Sequence, residues 1–163
     1  MDAREARQTL YDLLGRFDTT MMVTHAPSGP LDCRPMQVAR SEIEEGGPIW
    51  FVTSAQGQIP QEISSDARTL LVFQGDGHYV AVWGRAEVHA DSALAHQIWR
   101  DEHRAWVPLG PDDPSLRLIK FLPHSAECWT DESDGTVQYL FEGTGSASGG
   151  HPDAHDRTSL SKP

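Results

Sequence analysis

The stretch from Arg68 to Ala90, RTLLVFQGDGHYVAVWGRAEVHA, constrains the fold more than any other part of the chain. RTLLVFQ is a compact apolar run of strand length, GDG is a turn, and beyond it Tyr79, Ala81 and Trp83 alternate with Val80 and Val82. Two strands joined this tightly form a hairpin. Gly84 falls inside the second strand, where glycine marks a bulge or a close approach of backbones, as at a barrel corner.

The rest of the chain continues in the same texture. TTMMVTHA, the turn PSGP, LDCRPMQVAR, a Gly-Gly turn and PIWFVTS read as three strands in a meander. LRLIKFL and AECWT read as two further strands, for a tally of about six or seven, and TVQYLFE is a last ordered piece. Helical signals are few. Asp2 and Glu5 make a capping-box-like start, and Ala6, Leu10, Leu13 and Leu14 recur at helical spacing until Gly15, which predicts a helix over Ala3 to Leu14. IPQEISSD is a short helical piece. Asp91 or Ser92 caps a longer one, SALAHQIWRDEHRAW, with Leu94, Ile98 and Trp99 as its apolar stripe.

Hairpin-linked strands with short helices between them predict a mainly β, α+β fold: an antiparallel barrel rather than a parallel doubly wound sheet. Neither GxGxxG nor GxxxxGK[ST] occurs, so dinucleotide-fold and P-loop functions have no support. The length of 163 residues suits one domain. We place it at residues 1–142, because GTGSASGGHPDAHDRTSLSKP, residues 143–163, is almost wholly small or polar and reads as a disordered tail.

Charge narrows the partners. With 13 basic against 24 acidic residues the net charge is -11, which argues against nucleic-acid binding and against acidic membrane surfaces. No apolar run is long enough for a transmembrane helix, and MDAREARQTL lacks the apolar core of a secretory signal, so a cytoplasmic location is expected. Cys33 and Cys128 are unclustered and suggest neither a disulfide scaffold nor a zinc module. His96 and His103 stand about 10 Å apart along a helix, too far to share one ion, so no metal site is expected.

Three features carry possible ligand chemistry. In GPIWFVTSAQGQIPQEI an apolar strand ends in the hydroxyls of Thr53 and Ser54, with a short helix following, yet the stretch has no lysine or arginine. Arg34, in DCRPM, is either a solvent-facing strand residue or a guanidinium aimed at a bound phosphate or carbonyl. Trp106 and Trp129 lie beside loops, where ligand contacts concentrate.

The order LDCRPM, GGPIWFVTS, RTLLVF, YVAVWGRAEV, IWRDEHRAWVPLGPDDP and LRLIKFLPHSAECW resembles the general stress protein branch of the pyridoxamine 5'-phosphate oxidase-like flavoproteins. The resemblance covers about residues 5 to 142. It implies a six-stranded antiparallel split β-barrel with flanking short helices, working as a homodimer with FMN, or FAD, in clefts at the subunit interface. It also implies that Arg34, Pro35 and Met36 line the flavin ring and ribityl chain. Phe51, Val52, Thr53, Ser54 and Gln58 would follow the cofactor to its phosphate, and Trp106 and Trp129, from the other subunit, would flank the isoalloxazine.

One departure stands out. Many relatives carry a lysine a few residues after the Thr-Ser pair, and here Ile59 is at about that position. Compensation would come from the hydroxyls, from the helix N–H groups and from Arg34 or Arg68 of the partner subunit. The activity expected is flavin redox chemistry on a small molecule. The alternatives are a non-catalytic flavin-binding or sensing protein, and a binder of another flat cofactor, a deazaflavin or haem, with His25 or His124 as the candidate haem ligands.

Overall fold

The computed structural model of the chain describes residues 3–39, 47–130 and 137–140. The elements run α1 (Ala3–Leu14), β1 (Thr19–His25), β2 (Leu31–Gln37), β3 (Ile49–Ser54), α2 (Gln58–Ser65), β4 (Arg68–Gly75), β5 (His78–His89), α3 (Ser92–Ile98), a 3-10 turn (Asp101–Ala105), β6 (Leu116–Thr130) and β7 (Val137–Leu140). Every strand pairing is antiparallel. The order across the sheet is β2-β1-β4-β5-β6-β3, with β7 added beside β6. The predicted tail, 143–163, lies outside the described residues.

Six strands in this order curl into a half-barrel whose two edges are β2 and β3. The edges meet at one end, where the Ala39 N–H donates to the Trp50 carbonyl at 2.8 Å, and no ladder joins them elsewhere among the described residues. That is the split of a split barrel.

The hairpin expected between Arg68 and Ala90 forms. Asp76 and Gly77 both have positive φ, 48° and 74°, which is the two-residue Asp-Gly turn whose twist matches that of the flanking strands. Gly84 marks a register shift between Trp83 and Gly84 in the β5–β6 ladder, opposite Pro123. A Cβ there would stand 2.2 Å from the Leu122 carbonyl oxygen, so only glycine lets the two backbones pass.

This bulge corrects one expectation. LRLIKFL and AECWT are a single long strand, β6, rather than two. Pro123, which cannot donate to a ladder, falls at the irregularity where the register skips from Ser125 to Pro123, so the proline bends the strand without ending it. A second correction concerns the helix expected over SALAHQIWRDEHRAW. Asp91 caps it by accepting from Leu94 N–H at 3.0 Å, but α3 ends at Ile98 and Trp99 turns extended (φ −61°, ψ 137°). The Trp99 ring then lies against His103 in the 3-10 turn, edge-on at 5.5 Å, and under the Arg104 guanidinium at 5.7 Å.

Alternation along the strands divides the core in two. Inward residues such as Met22, Leu71, Phe73, Val80, Val82, Phe51 and Phe121 bury against Leu10, Leu13 and Leu14 of α1 and Ile63 of α2. The opposite face of β3 and β6 buries Val52, Leu116 and Leu118 under Ala95, Ile98 and Val107. Among the described residues, the outer face of β2, β1, β4 and the first half of β5 has no such cover.

Candidate functional site

The split places the sequence-predicted residues on two lips. One lip is β2, whose side chains are all exposed or half-exposed, as suits an edge strand, and whose proline at position 35 is tolerated there. On it, Arg34 and Met36 face the barrel interior beside Met22 and Thr20, their ladder partners, while Pro35 faces out. Met36 packs half-buried against the main core.

The other lip is β3. Phe51 and Val52 are fully covered, one in each core, so their side chains face packing partners and only their backbone borders the seam. Thr53 is buried on the interior face and Ser54 half-buried at the strand end. Beyond it the Ala55 N–H donates to the Ser115 carbonyl at 2.7 Å and the Gln56 N–H to the Ser54 hydroxyl at 3.3 Å, which fixes the exit from the strand. Gln58, exposed, is the first residue of α2, whose N-cap, Gly57, offers no side-chain cap. Pro60 sits at the third helical position and has no N–H, so the uncapped first turn presents the amides of Gln58 and Ile59.

Helix α2 packs against β1, β5 and β3 and ties into the β2 lip. Glu62, 2% exposed, accepts from the Thr24 hydroxyl and from Arg34 Nη2 at 2.7 Å, and Arg34 Nη1 also donates to the Thr24 hydroxyl. Asp32 lies 3.9 Å from the same guanidinium. Burial pushes the Glu62 carboxyl up, but hydrogen bonds from Thr24 and Asp32 and the charge and hydrogen bond of Arg34 outweigh it, leaving Glu62 below the usual glutamate value. Hydrogen bonding to Glu62 and partial burial push Asp32 in the opposite direction.

Arg34 is therefore not the solvent-facing residue of one sequence reading: it is directed inward and paired. Glu62, Thr24 and Asp32 escaped the sequence reading. The available signal was Thr24, which shares the inward alternation of Thr20 and Met22 in TTMMVTH; for Glu62 the eight-residue helix was too short to show its buried face.

Neither Trp106 nor Trp129 is on a lip. Trp106 is 49% exposed after the 3-10 turn, its ring 6.5 Å from that of His103. His103 is buried, its Nδ1 accepts from the Arg100 N–H, and burial lowers its basicity, so the ring is neutral at pH 7. Past Trp106 the chain turns through VPLGPDDP, where Asp113 accepts from the Ser115 N–H and hydroxyl, both at 2.8 Å. Trp129, 36% exposed, stands at the far end of β6 opposite Tyr79.

Tyr79 and Trp129 lie on this outer face, uncovered among the described residues, with Met21 and Leu31, which are 39% and 61% exposed. Val23, Cys33 and Pro35 on the neighbouring strands continue this apolar surface. Among the described residues no helix is long and apolar enough to cross a membrane.

A family model described as pyridoxamine 5'-phosphate oxidase like matches residues 5–153. Among solved structures, a general stress FMN/FAD binding protein from Xanthomonas citri is 26% identical, with a TM-score of 0.66, covering 81% of this chain and 93% of that one. A Clostridium acetobutylicum protein related to general stress protein 26 superposes with a TM-score of 0.70 at 17% identity, over 86% and 96% of the two chains. General stress protein 26 of Bacillus anthracis gives 0.63 at 21%, over 78% and 94%. No curated protein matches the chain significantly.

Proposed function

Because the chain belongs to the pyridoxamine 5'-phosphate oxidase-like family, we propose that it is an FMN-binding flavoprotein whose cofactor lies in the seam between β2 and β3. The observation that carries this reading is the seam itself: two edge strands, hydroxyls at the end of one and an uncapped helix start beyond them, in a fold shared with a protein described as binding FMN or FAD. The donors fit a flavin mononucleotide. Main-chain groups of both edges suit the carbonyls and ring nitrogens of an isoalloxazine, and Thr53, Ser54 and the amides of Gln58 and Ile59 suit a phosphate.

In this proposal the β2 lip, with Met36 and the aliphatic stem of Arg34, supports the ring system, and Glu62 with Thr24 holds the arginine in place. A bound flavin would supply hydride exchange at N5, with the protein contributing position and electrostatics. The seam's ionisable groups, Arg34, Glu62 and Asp32, are engaged with one another. That favours hydride exchange with a small molecule over chemistry needing a protein acid or base, and it suits a non-catalytic flavin store equally well.

A second copy of the chain completes the site in this reading. The exposed apolar face running from Leu31 and Met21 to Tyr79 and Trp129 is the surface a homodimer would bury, and the second copy would bring Trp106 and Trp129 to the flavin.

Absorbance and flavin fluorescence of the purified protein test the proposal. We expect a yellow protein, or quenching on FMN addition; a colourless protein that leaves FMN fluorescence unchanged ends it. Anaerobic NADH or NADPH bleaches the bound flavin if the protein is an oxidoreductase and leaves it unchanged if it is a store. Light scattering should return twice the chain mass, and a single chain mass at micromolar concentration removes the dimer.

A further inference from the structure

The phosphate end of the seam lacks a lysine, and the two arginines that the sequence offers in its place are both committed. Arg34 is paired with buried Glu62 at 2.7 Å. Arg68 is held in a two-pronged contact by Asp66, with Nε 3.0 Å from Oδ1 and Nη2 2.6 Å from Oδ2. A guanidinium whose charge is already matched by a carboxylate offers a second anion much less attraction than a free one.

Arg117 is placed differently. It is the ladder partner of Thr53 across β3 and β6, two positions along from the Phe51–Ile119 pair whose side chains enter the main core. Strand alternation therefore puts Arg117 and Thr53 side by side on the interior face, the face on which α2 packs through Ile59 and Ile63. Its Nη1 donates to the carbonyls of Pro114 at 3.0 Å and Leu116 at 2.8 Å. Among the described residues no carboxylate lies within ion-pair distance of it, and Nε and Nη2 make no hydrogen bond. The guanidinium is anchored by main chain yet keeps its charge and three donors.

We infer that Arg117 supplies the countercharge for a phosphate monoester at the end of β3, replacing the lysine missing from QGQIPQ. This rests on the flavin reading and makes it specific: the chain distinguishes FMN from riboflavin, which lacks the phosphate, through an arginine on β6. Its fork reaches a phosphate that Thr53, Ser54 and the first amides of α2 would hold from the other side.

Fluorescence titration of the full chain with FMN and with riboflavin tests this. The unmodified protein should bind FMN about 10- to 100-fold more tightly, the range of one charge-assisted contact. Arg117→Ala should lose that preference with riboflavin affinity unchanged, Arg117→Lys should keep part of it, and Arg85→Ala, a surface charge control, should keep all of it. An unchanged FMN-to-riboflavin ratio in Arg117→Ala overturns the inference and leaves the flavin reading standing; failure of the unmodified protein to bind either flavin overturns both. Should Arg117→Ala fail to fold, the unmodified protein still decides, since FMN affinity must fall with added salt while riboflavin affinity holds, and equal insensitivity refutes a cationic grip.

Discussion

Arg34 on β2 and Glu62 on α2 meet at 2.7 Å, a contact between an edge strand and a helix packed on the barrel's interior face. Because Glu62 is almost wholly buried, its charge depends on this partner and on Thr24. Removing one member strands the other.

We expect Arg34→Ala to cost about 3 kcal/mol of stability, since breaking a buried pair leaves an uncompensated carboxylate. Glu62→Gln should cost less, because a neutral amide still accepts from Thr24 and Arg34. The double variant should be less destabilised than the sum of the singles by about 1–3 kcal/mol. Urea unfolding of the four proteins measures this, and additive losses would show that the two side chains do not cooperate in solution.

The same pair sets a pH dependence. Glu62 titrates below its usual value in the folded chain, so its contribution is complete above about pH 4.3 and is lost as the pH falls through the lower folded-state value. Asp32 shifts upward, the reverse case: it costs nothing while protonated and subtracts from stability once it ionises above its raised folded-state value, so it offsets part of the Glu62 contribution at neutral pH. The stability gap between the unmodified protein and Glu62→Gln should thus be widest near pH 7 and close as pH drops below about 4. A gap that stays constant from pH 7 to 3 would mean that Glu62 is already protonated at neutral pH.

At the bend of β5 and β6 we expect Gly84→Ala to destabilise by about 3 kcal/mol or more. The added methyl would meet the Leu122 carbonyl oxygen at 2.2 Å and the Phe121 ring at 2.6 Å, and backbone cannot yield as a flexible side chain does. Thermal melting measures the loss. A loss under 1 kcal/mol would indicate that the strands separate at the bulge.

Much of this architecture is legible in the chain because its strands alternate and its turns are chemically distinctive: Asp76-Gly77 and Gly84 announce a hairpin and a bend in the sequence itself. Where local signals were ambiguous the reading failed in a consistent direction. LRLIKFL and AECWT read as two strands, but the bulge at Pro123 absorbs a residue that cannot donate, and the strand continues. SALAHQIWRDEHRAW has helical composition throughout, yet packing of Trp99 against His103 and Arg104 ends the helix at Ile98. The seam was visible through RPM and Thr53-Ser54, which stand on its lips. The engagement of Arg34 by Glu62 was not, because it joins residues far apart in sequence through a helix too short to declare its buried face.

The two cysteines give a test of strand facing. Cys128 is on the interior face of β6, where burial pushes its thiol up to about 11; at pH 8 its thiolate fraction is on the order of one in a thousand. Cys33 is on the outer face of β2 and exposed. Since the thiolate is the reacting species, a disulfide reagent at pH 8 should leave Cys128 untouched in the folded protein, including in Cys33→Ser, and modify it promptly after denaturation. Rapid modification of Cys128 in folded Cys33→Ser would mean that the register of β6 is shifted by one residue, which would turn the whole inner face of that strand outward. Arg117 would then no longer share a face with Thr53 and α2, so this labelling also checks the premise on which the phosphate assignment rests.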